Sequence, residues 1–159
     1  MKKIIPLLGL LLLVTQANAA DLGTRQLYFG AGVGFNSINN NNYYHYNDSD
    51  AVGLQLFAGL PLAAKIGSAD LAVELGYMDT GDFDSGSSAN GLWSTVGASL
   101  PLNNDLKLLG RLGYDFGDDD GVMIGAGVGF PVASSMDMRV EYVIRDHIDS
   151  LQLNLVFRQ

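Results

Sequence analysis

The chain contains no cysteine among its 159 residues, which rules out a disulfide framework and also a lipid anchor on an N-terminal cysteine. Charged residues are scarce at 16%, and the acidic ones outnumber the basic ones by 17 to 9. A chain with this balance lacks the basic surface that nucleic acids require, so we expect no nucleic-acid partner. After residue 20 there is no apolar run of the roughly 18 residues that a membrane-spanning helix needs.

The N-terminus has the pattern of a secretory signal peptide. Lys2 and Lys3 precede a short apolar run over residues 4–14, and Ala17 and Ala19 supply the small residues of a cleavage site. The apolar run is too short for an anchor helix. We therefore predict a cleaved signal over residues 1–20 and a mature domain over residues 21–159. Loss of the two lysines would take the formal charge from -8 to -10.

Apolar side chains alternate with polar ones or glycine through most of the mature chain. A period of two is the strand period, because successive side chains point to opposite faces of a sheet. Clusters of Pro, Asn, Asp, Gly and Ser, which favour turns, separate the alternating stretches. The pattern predicts eight strands, over residues 26–36, 51–60, 70–78, 91–100, 106–117, 122–130, 137–146 and 150–158.

Two folds fit this alternation. In a soluble lipocalin-like barrel the apolar face would line a cavity, whereas in a membrane barrel it would face lipid. Segment length favours the membrane barrel, since about 9–11 tilted residues span a bilayer. Aromatic residues near the segment ends favour it too, as an interfacial girdle: Phe29, Phe130 and Phe157 at one end, and Phe35, Tyr77, Tyr114 and Phe116 at the other.

The connections between segments differ in kind on the two sides. Those on one side are polar and variable in length, whereas those on the other begin with Pro61, Pro101 and Pro131, and the connection from Pro61 to Ala69 is unusually long. This asymmetry is typical of extracellular loops and periplasmic turns. We predict an all-β, eight-stranded, antiparallel, up-and-down transmembrane β-barrel, closed because lipid offers no partners to free strand edges.

The polar face carries charges of both signs. Buried without partners they would be costly, but across a narrow lumen they can neutralise one another. The predicted lumen charge network, with a structural role, consists of Glu74, Lys107, Arg111, Asp115, Arg139, Glu141 and Arg145.

The Gly-alternating first strand 27–35, the stretch Glu74-Leu75-Gly76-Tyr77 and the stretch Arg139-Val140-Glu141-Tyr142 resemble the small outer-membrane β-barrel proteins. This family includes the transmembrane domain of outer-membrane protein A and the attachment and opacity proteins. The resemblance implies a location in the outer membrane of a Gram-negative bacterium. It also implies insertion by the barrel assembly machinery, which reads the last strand; here Arg158 and Gln159 displace the usual terminal aromatic residue.

The longest connection, from Ser37 to Asp50, is the candidate surface-recognition loop. Tyr and Asn side chains are amphipathic and adaptable, which suits contact with another surface. The candidate residues are Asn42, Tyr43, Tyr44, His45 and Tyr46. Aspartates are frequent on the same side of the barrel. Two interpretations of them are open: simple solvation by water, and divalent-cation bridging to lipopolysaccharide. We expect no metal site and no cofactor.

Catalysis needs a nucleophile beside a base. The only histidines are His45 and His147, and the Asp, His and Ser residues around His147 have the ordinary composition of a turn. We therefore expect no enzyme and no catalytic residues, but a monomer with a structural or surface-interaction, adhesion-type role. A narrow, low-conductance channel is the alternative, and a lipid A-modifying enzyme ranks third. Expected partners are outer-membrane lipid and lipopolysaccharide, the assembly machinery, and a host or surface ligand at the outer loops.

Overall fold

The computed structural model describes residues 26–38, 50–83 and 86–158. The predicted signal peptide and the recognition residues Asn42, Tyr43, Tyr44, His45 and Tyr46 lie outside the described residues. Eight strands fill most of the described chain: β1 (Tyr28–Ile38), β2 (Asp50–Ile66), β3 (Ala69–Asp79), β4 (Asn90–Pro101), β5 (Lys107–Asp115), β6 (Gly121–Ala133), β7 (Met136–Ile144) and β8 (Ile148–Arg158). No helix in this part of the chain is long and apolar enough to cross a membrane.

Each strand pairs antiparallel with its neighbours in sequence, and β1 also pairs with β8, which closes the sheet into a barrel. In the closing seam, Phe29 lies opposite Phe157 and Phe35 lies opposite Leu151. Closure leaves no strand edge unpaired, as lipid requires. The predicted fold class is confirmed.

Two predicted strand ends are wrong by more than two residues. β2 does not end before Pro61 but continues to Ile66, and β6 continues past Pro131 to Ala133. The pairing register shifts just after each of these prolines, and bulges of this kind are where a strand tolerates proline. The predicted long connection from Pro61 to Ala69 is therefore a short turn at residues 67–68, in which Gly67 adopts a φ of 59°.

The two ends of the barrel differ in the length of their connections. At the end where β1 begins and β8 ends, the connections are residues 67–68, 102–106 and 134–135. At the opposite end they are residues 39–49, 80–89, 116–120 and 145–147. Because outer-membrane barrels have short periplasmic turns and longer extracellular loops, we name these the periplasmic end and the outer end.

The apolar side chains that share a parity on each strand point outward. Leu153, for example, is 40% exposed although it lies in the middle of β8. Leu54, Leu75, Leu112 and Ile124 are also exposed on the outer wall. A continuous apolar surface of this kind is unfavourable in water and is rarely found on a soluble protein. In a membrane barrel the hydrocarbon of the bilayer covers it. The lipocalin-like arrangement, with an apolar lining and a polar exterior, is not the one observed.

Ser94 is the polar residue that interrupts the apolar parity in the middle of β4, and the structure explains it. Its side chain is buried, and Oγ donates a hydrogen bond to the backbone carbonyl of Glu74 at 3.1 Å. A hydroxyl satisfied by the neighbouring strand exposes no free polar group to lipid.

Candidate functional site

The lumen contains an apolar cluster in addition to the predicted charges. Seven buried residues form it: Tyr28, Phe57, Met78, Trp93, Met123, Val143 and Val156. Large inward side chains need glycine opposite them, since a Cβ on Gly76 would lie 2.4 Å from the Trp93 ring and one on Gly59 would lie 2.1 Å from the Tyr28 ring. An eight-stranded barrel is just wide enough for side chains to fill it, and these residues fill its middle.

Glu74 of β3 is the centre of the first charged group. Arg139 of β7 approaches its Oε1 across the lumen at 2.6 Å, and the Tyr28 hydroxyl donates to the same oxygen at 2.7 Å. The Arg139 guanidinium also lies over the Tyr28 ring, with Cζ 5.2 Å from the ring centre. These two hydrogen bonds, one from a guanidinium and one from a hydroxyl, offset the cost of burying the Glu74 carboxylate.

Arg111 of β5 forms the second group. Its Nη2 lies 2.7 Å from Glu141 Oε2 and donates to Gln152 Oε1 at 2.9 Å. Its Cζ lies 5.5 Å from the centre of the Trp93 ring, a cation–π distance. Gln55 Nε2 extends the group to β2 by donating to both Gln152 and Asn154. Side chains from β2, β4, β5, β7 and β8 are thus linked through the axis of the barrel.

The third group lies toward the outer end. Arg145 Nε is 3.3 Å from Asp115 Oδ2, and both side chains are only 1% exposed. Arg145 Nη1 donates to Ser150 Oγ, which donates in turn to Asn36 Oδ1. Above this group, Ala51, Phe83 and Ile148 form a second buried apolar cluster. Among the described residues, these two groups obstruct the outer end of the lumen.

The fourth group lies at the periplasmic end, where Lys107 and Arg158 both contact the carboxylate of Asp137. Lys107 Nζ is 3.2 Å from Asp137 Oδ2. Asp137 is buried, whereas the side chains of Lys107 and Arg158 are 27% and 46% exposed. The lumen is therefore accessible at this end.

The seven predicted network residues all lie in the lumen, but they form separate pairs and not one network. Sequence reasoning omitted Asp137, the partner of Lys107, although it shares the parity of Arg139 and Glu141 on β7. It also omitted the neutral partners Tyr28, Gln55 and Gln152. Their inward parity was visible in the sequence, but which residues meet across the lumen depends on the stagger of the closed sheet.

A cavity of about 480 Å³ occupies the periplasmic half of the lumen. Its lining includes the charged side chains of Glu74, Arg111, Arg139 and Glu141. It also includes Ala72, Gly97 and Leu109, on the neighbouring strands β3, β4 and β5. Lys107 and Arg158 stand at its mouth.

The outer turns are joined to one another by buried and exposed carboxylates. Asp119 is buried and accepts hydrogen bonds from the backbone amides of His147 at 3.0 Å and Ile148 at 3.1 Å. Asp118 Oδ2 accepts from the backbone amide of Asn90 at 3.1 Å. These contacts tie the β5–β6 turn to the β7–β8 turn and to β4.

Within residues 26–38, 50–83 and 86–158, no three acidic or histidine side chains are placed to hold a metal ion.

His147 and Ser150 point to different environments. The imidazole is 72% exposed and its Nδ1 lies 3.1 Å from Asp119 Oδ1. The Ser150 hydroxyl is buried in the lumen and engaged by Arg145 and Asn36. The turn therefore does not present this serine to this histidine as a nucleophile and base.

A closed eight-stranded sheet with a lipid-facing apolar wall and paired charges inside defines an integral membrane β-barrel of the outer-membrane class. The sequence matches the family described as "Outer membrane protein beta-barrel domain" over residues 7–156. The chain belongs to this family, which confirms the resemblance seen in the sequence and places the protein in the outer membrane. A search of curated proteins finds no match to this chain.

Several solved structures share the fold. A de novo designed transmembrane β-barrel is 20% identical, with a TM-score of 0.57 over 84% of this chain and 95% of that one. Neisserial surface protein A is 12% identical, with a TM-score of 0.57 over 84% and 97%. The Yersinia pestis outer-membrane protein Ail is 12% identical, with a TM-score of 0.52 over 85% and 99%. The outer-membrane enzyme PagL is also similar, at 12% identity and a TM-score of 0.51 over 82% and 98%.

Proposed function

We propose that this protein is a structural and surface-contact barrel whose outer connections, above all residues 39–49, make an adhesion-type contact with a surface ligand. The observation that carries the proposal is the closed outer end of the lumen, where Asp115 and Arg145 are buried beneath the cluster of Phe83, Ala51 and Ile148. Because these buried side chains obstruct the axis, we expect the barrel to act at its outer surface.

The hydrogen bonds among the outer turns support this proposal. Asp118 and Asp119 connect three of the four outer connections or their flanking strands. A rigid support reduces the ordering cost when a neighbouring segment binds a partner. Residues 39–49 leave Ile38 and return to Asp50 at this same rim. Ail is named as an attachment and invasion protein, and the adhesion-type role is assigned to this chain by analogy with that barrel.

The proposed role is not enzymatic. PagL shows that this fold can support an enzyme, so the side chains and not the fold decide whether this barrel is one. The exposed imidazole of His147 and the buried hydroxyl of Ser150 do not form a nucleophile–base pair in this geometry.

A narrow, low-conductance channel is the second candidate, and the periplasmic cavity favours it. Ions could enter from that end past Lys107 and Arg158. They would then meet the Arg111–Glu141 pair beside Trp93 and, farther out, the Arg145–Asp115 pair. Brief openings through these layers would give small conductance steps.

The proposed partners follow from this location. The apolar outer wall contacts lipid, and the outer rim contacts lipopolysaccharide. The barrel assembly machinery would recognise the outward-facing apolar residues of β8, which are Leu151, Leu153, Leu155 and Phe157. We propose that the barrel acts as a monomer.

Replacement of residues 39–49 by a short turn tests the proposed role. Bacteria displaying the variant should adhere to a matrix-coated surface less than bacteria displaying the parent protein. A matched control shortens the connection 102–106, which lies at the periplasmic end and cannot contact an external surface. Both variants must show the shift between folded and boiled bands on a gel. Equal adhesion by loop variant and parent would refute the surface-contact role.

A further inference from the structure

Among the residues that the structure describes, the charges at the periplasmic mouth do not balance. Each carboxylate that lines the cavity has its own cation: Glu74 has Arg139, Glu141 has Arg111, and Asp70 has Lys65 at 2.7 Å. The two remaining cations that line it, Lys107 and Arg158, share the single carboxylate of Asp137. The mouth therefore carries one positive charge in excess over these pairs.

The donors at the mouth also exceed the acceptors. Lys107 offers three N–H groups and Arg158 five, and both side chains are partly exposed while Asp137 is buried beneath them. One carboxylate cannot accept hydrogen bonds from all of these N–H groups. Lys107 and Arg158 therefore have donors left for a ligand at the opening. Phosphate oxygens suit such a pair, because arginine binds them in a planar fork and lysine as a point charge.

The cavity behind the mouth has room for more than an ion. Its volume of about 480 Å³ is within the range of roughly 300–1,000 Å³ found for small-molecule pockets. Ala72, Gly97 and Leu109 add a small neutral patch to its lining, and the nearest atom to a Cβ on Gly97 would be 3.9 Å away. A ligand could place a short neutral or apolar portion there while its anionic group remained at the mouth.

We propose that the periplasmic cavity binds a phosphate monoester or diester through Lys107 and Arg158, with the neutral portion of the ligand against Ala72, Gly97 and Leu109. Two sources supply this chemistry: a soluble organic phosphate in the periplasm and the headgroup of an inner-leaflet phospholipid. The site does not depend on the proposed surface-contact role, because it lies at the opposite end of the barrel.

The test uses the full mature chain, folded in an octyl glucoside micelle, which contains no phosphate. The soluble probe is glycerol 3-phosphate, with glycerol as the uncharged comparison, and binding is measured by calorimetry. The lipid probe is phosphatidylglycerol added to the micelle, with binding followed by the phosphorus resonance of its headgroup. The variants are Lys107→Gln alone and Lys107→Gln with Arg158→Gln. Lys107→Gln alone leaves Asp137 paired with Arg158, so this variant should fold.

Lys65→Gln combined with Asp70→Asn is the matched control, because it removes an exposed periplasmic-end lysine together with its carboxylate partner and so leaves the net charge around the cavity unchanged. We expect binding of one probe to weaken about tenfold or more in the Lys107→Gln variant and further in the double variant, with little change in the control. Binding of glycerol 3-phosphate would identify a soluble ligand, and binding of phosphatidylglycerol alone would identify a lipid headgroup. Absence of binding by both probes, or equal binding by parent and double variant, would overturn the proposal.

Discussion

Glu74 and Arg139 meet across the lumen, with Arg139 Nη1 2.6 Å from Glu74 Oε1, although 65 residues separate them in sequence. The pair joins β3 to β7, two strands that are not neighbours in the sheet. Contacts of this kind tie opposite walls of the barrel together.

Glu74→Ala should therefore lower the stability of the barrel. The change leaves the Arg139 guanidinium without its carboxylate in a largely buried place, and breaking a buried pair in this way costs about 3–5 kcal/mol. The measurement is urea unfolding in detergent, with the temperature at which the folded gel band disappears as a second readout.

The exposed pair Lys65–Asp70 provides the control for that prediction. Its N···O distance is also short, at 2.7 Å, but both side chains are more than half exposed. Asp70→Ala should cost only about 0–1 kcal/mol. Equal losses in the two variants would mean that burial of the Glu74 pair contributes nothing.

Gly76→Ala should destabilise the barrel because its Cβ would press against the ring of Trp93, which is fully buried, and against the Leu56 carbonyl. Overpacking of this kind costs about 1–3 kcal/mol. Trp93 is the only tryptophan, so its fluorescence reports both the unfolding midpoint and the local rearrangement.

Gly97→Ala is the matched change on the same inward face, because the space around its Cβ is open. Its stability should change by no more than about 0.5 kcal/mol. Loss of stability in Gly97→Ala as large as in Gly76→Ala would show that the cavity beside Gly97 is not there.

Asp119→Ala should loosen the outer turns. The carboxylate accepts from the amides of His147 and Ile148, and a buried amide that loses its acceptor is left unsatisfied. Hydrogen exchange at these two amides should accelerate by about tenfold or more, whereas amides in the middle of β8 should be unaffected. Asp118→Ala, which removes one exposed hydrogen bond to Asn90, should change exchange at residues 147 and 148 little. Unchanged exchange in Asp119→Ala would contradict the proposed support for the outer loops.

The parent barrel should show no large, steady conductance in a planar lipid bilayer. The Arg145–Asp115 pair and the cluster around Phe83 obstruct the outer half of the lumen. Small, brief steps would favour the narrow-channel alternative. A large steady current would refute the closed outer end and, with it, the main support for the surface-contact proposal.

The sequence alone predicted the number of strands and which side chains share a face of each strand, because a period of two is a local property of the chain. Gln55, Arg111 and Leu153 all lie on the side that their parity predicts. Strand ends at Pro61 and Pro131 were mispredicted because a bulge allows a proline inside a strand, and a bulge depends on the partner strand.

Partners across the lumen could not be predicted in the same way. Glu74 meets Arg139 and Tyr28, and Lys107 meets Asp137, through space that is organised by sheet closure and strand stagger. Parity fixes which side chains face inward, but not the height at which each one lies along the axis.

The apolar face of the sheet meets hydrocarbon, whereas the opposite face lines the lumen and its periplasmic cavity, and two adjacent residues of β4 test this arrangement most directly. The absence of native cysteine allows a nitroxide label at Val96→Cys or at Gly97→Cys in a lipid bilayer. We predict that the label at position 96 relaxes faster with oxygen, which dissolves in hydrocarbon, and that the label at position 97 relaxes faster with a water-soluble nickel chelate. The reverse pattern would contradict an apolar face turned toward lipid.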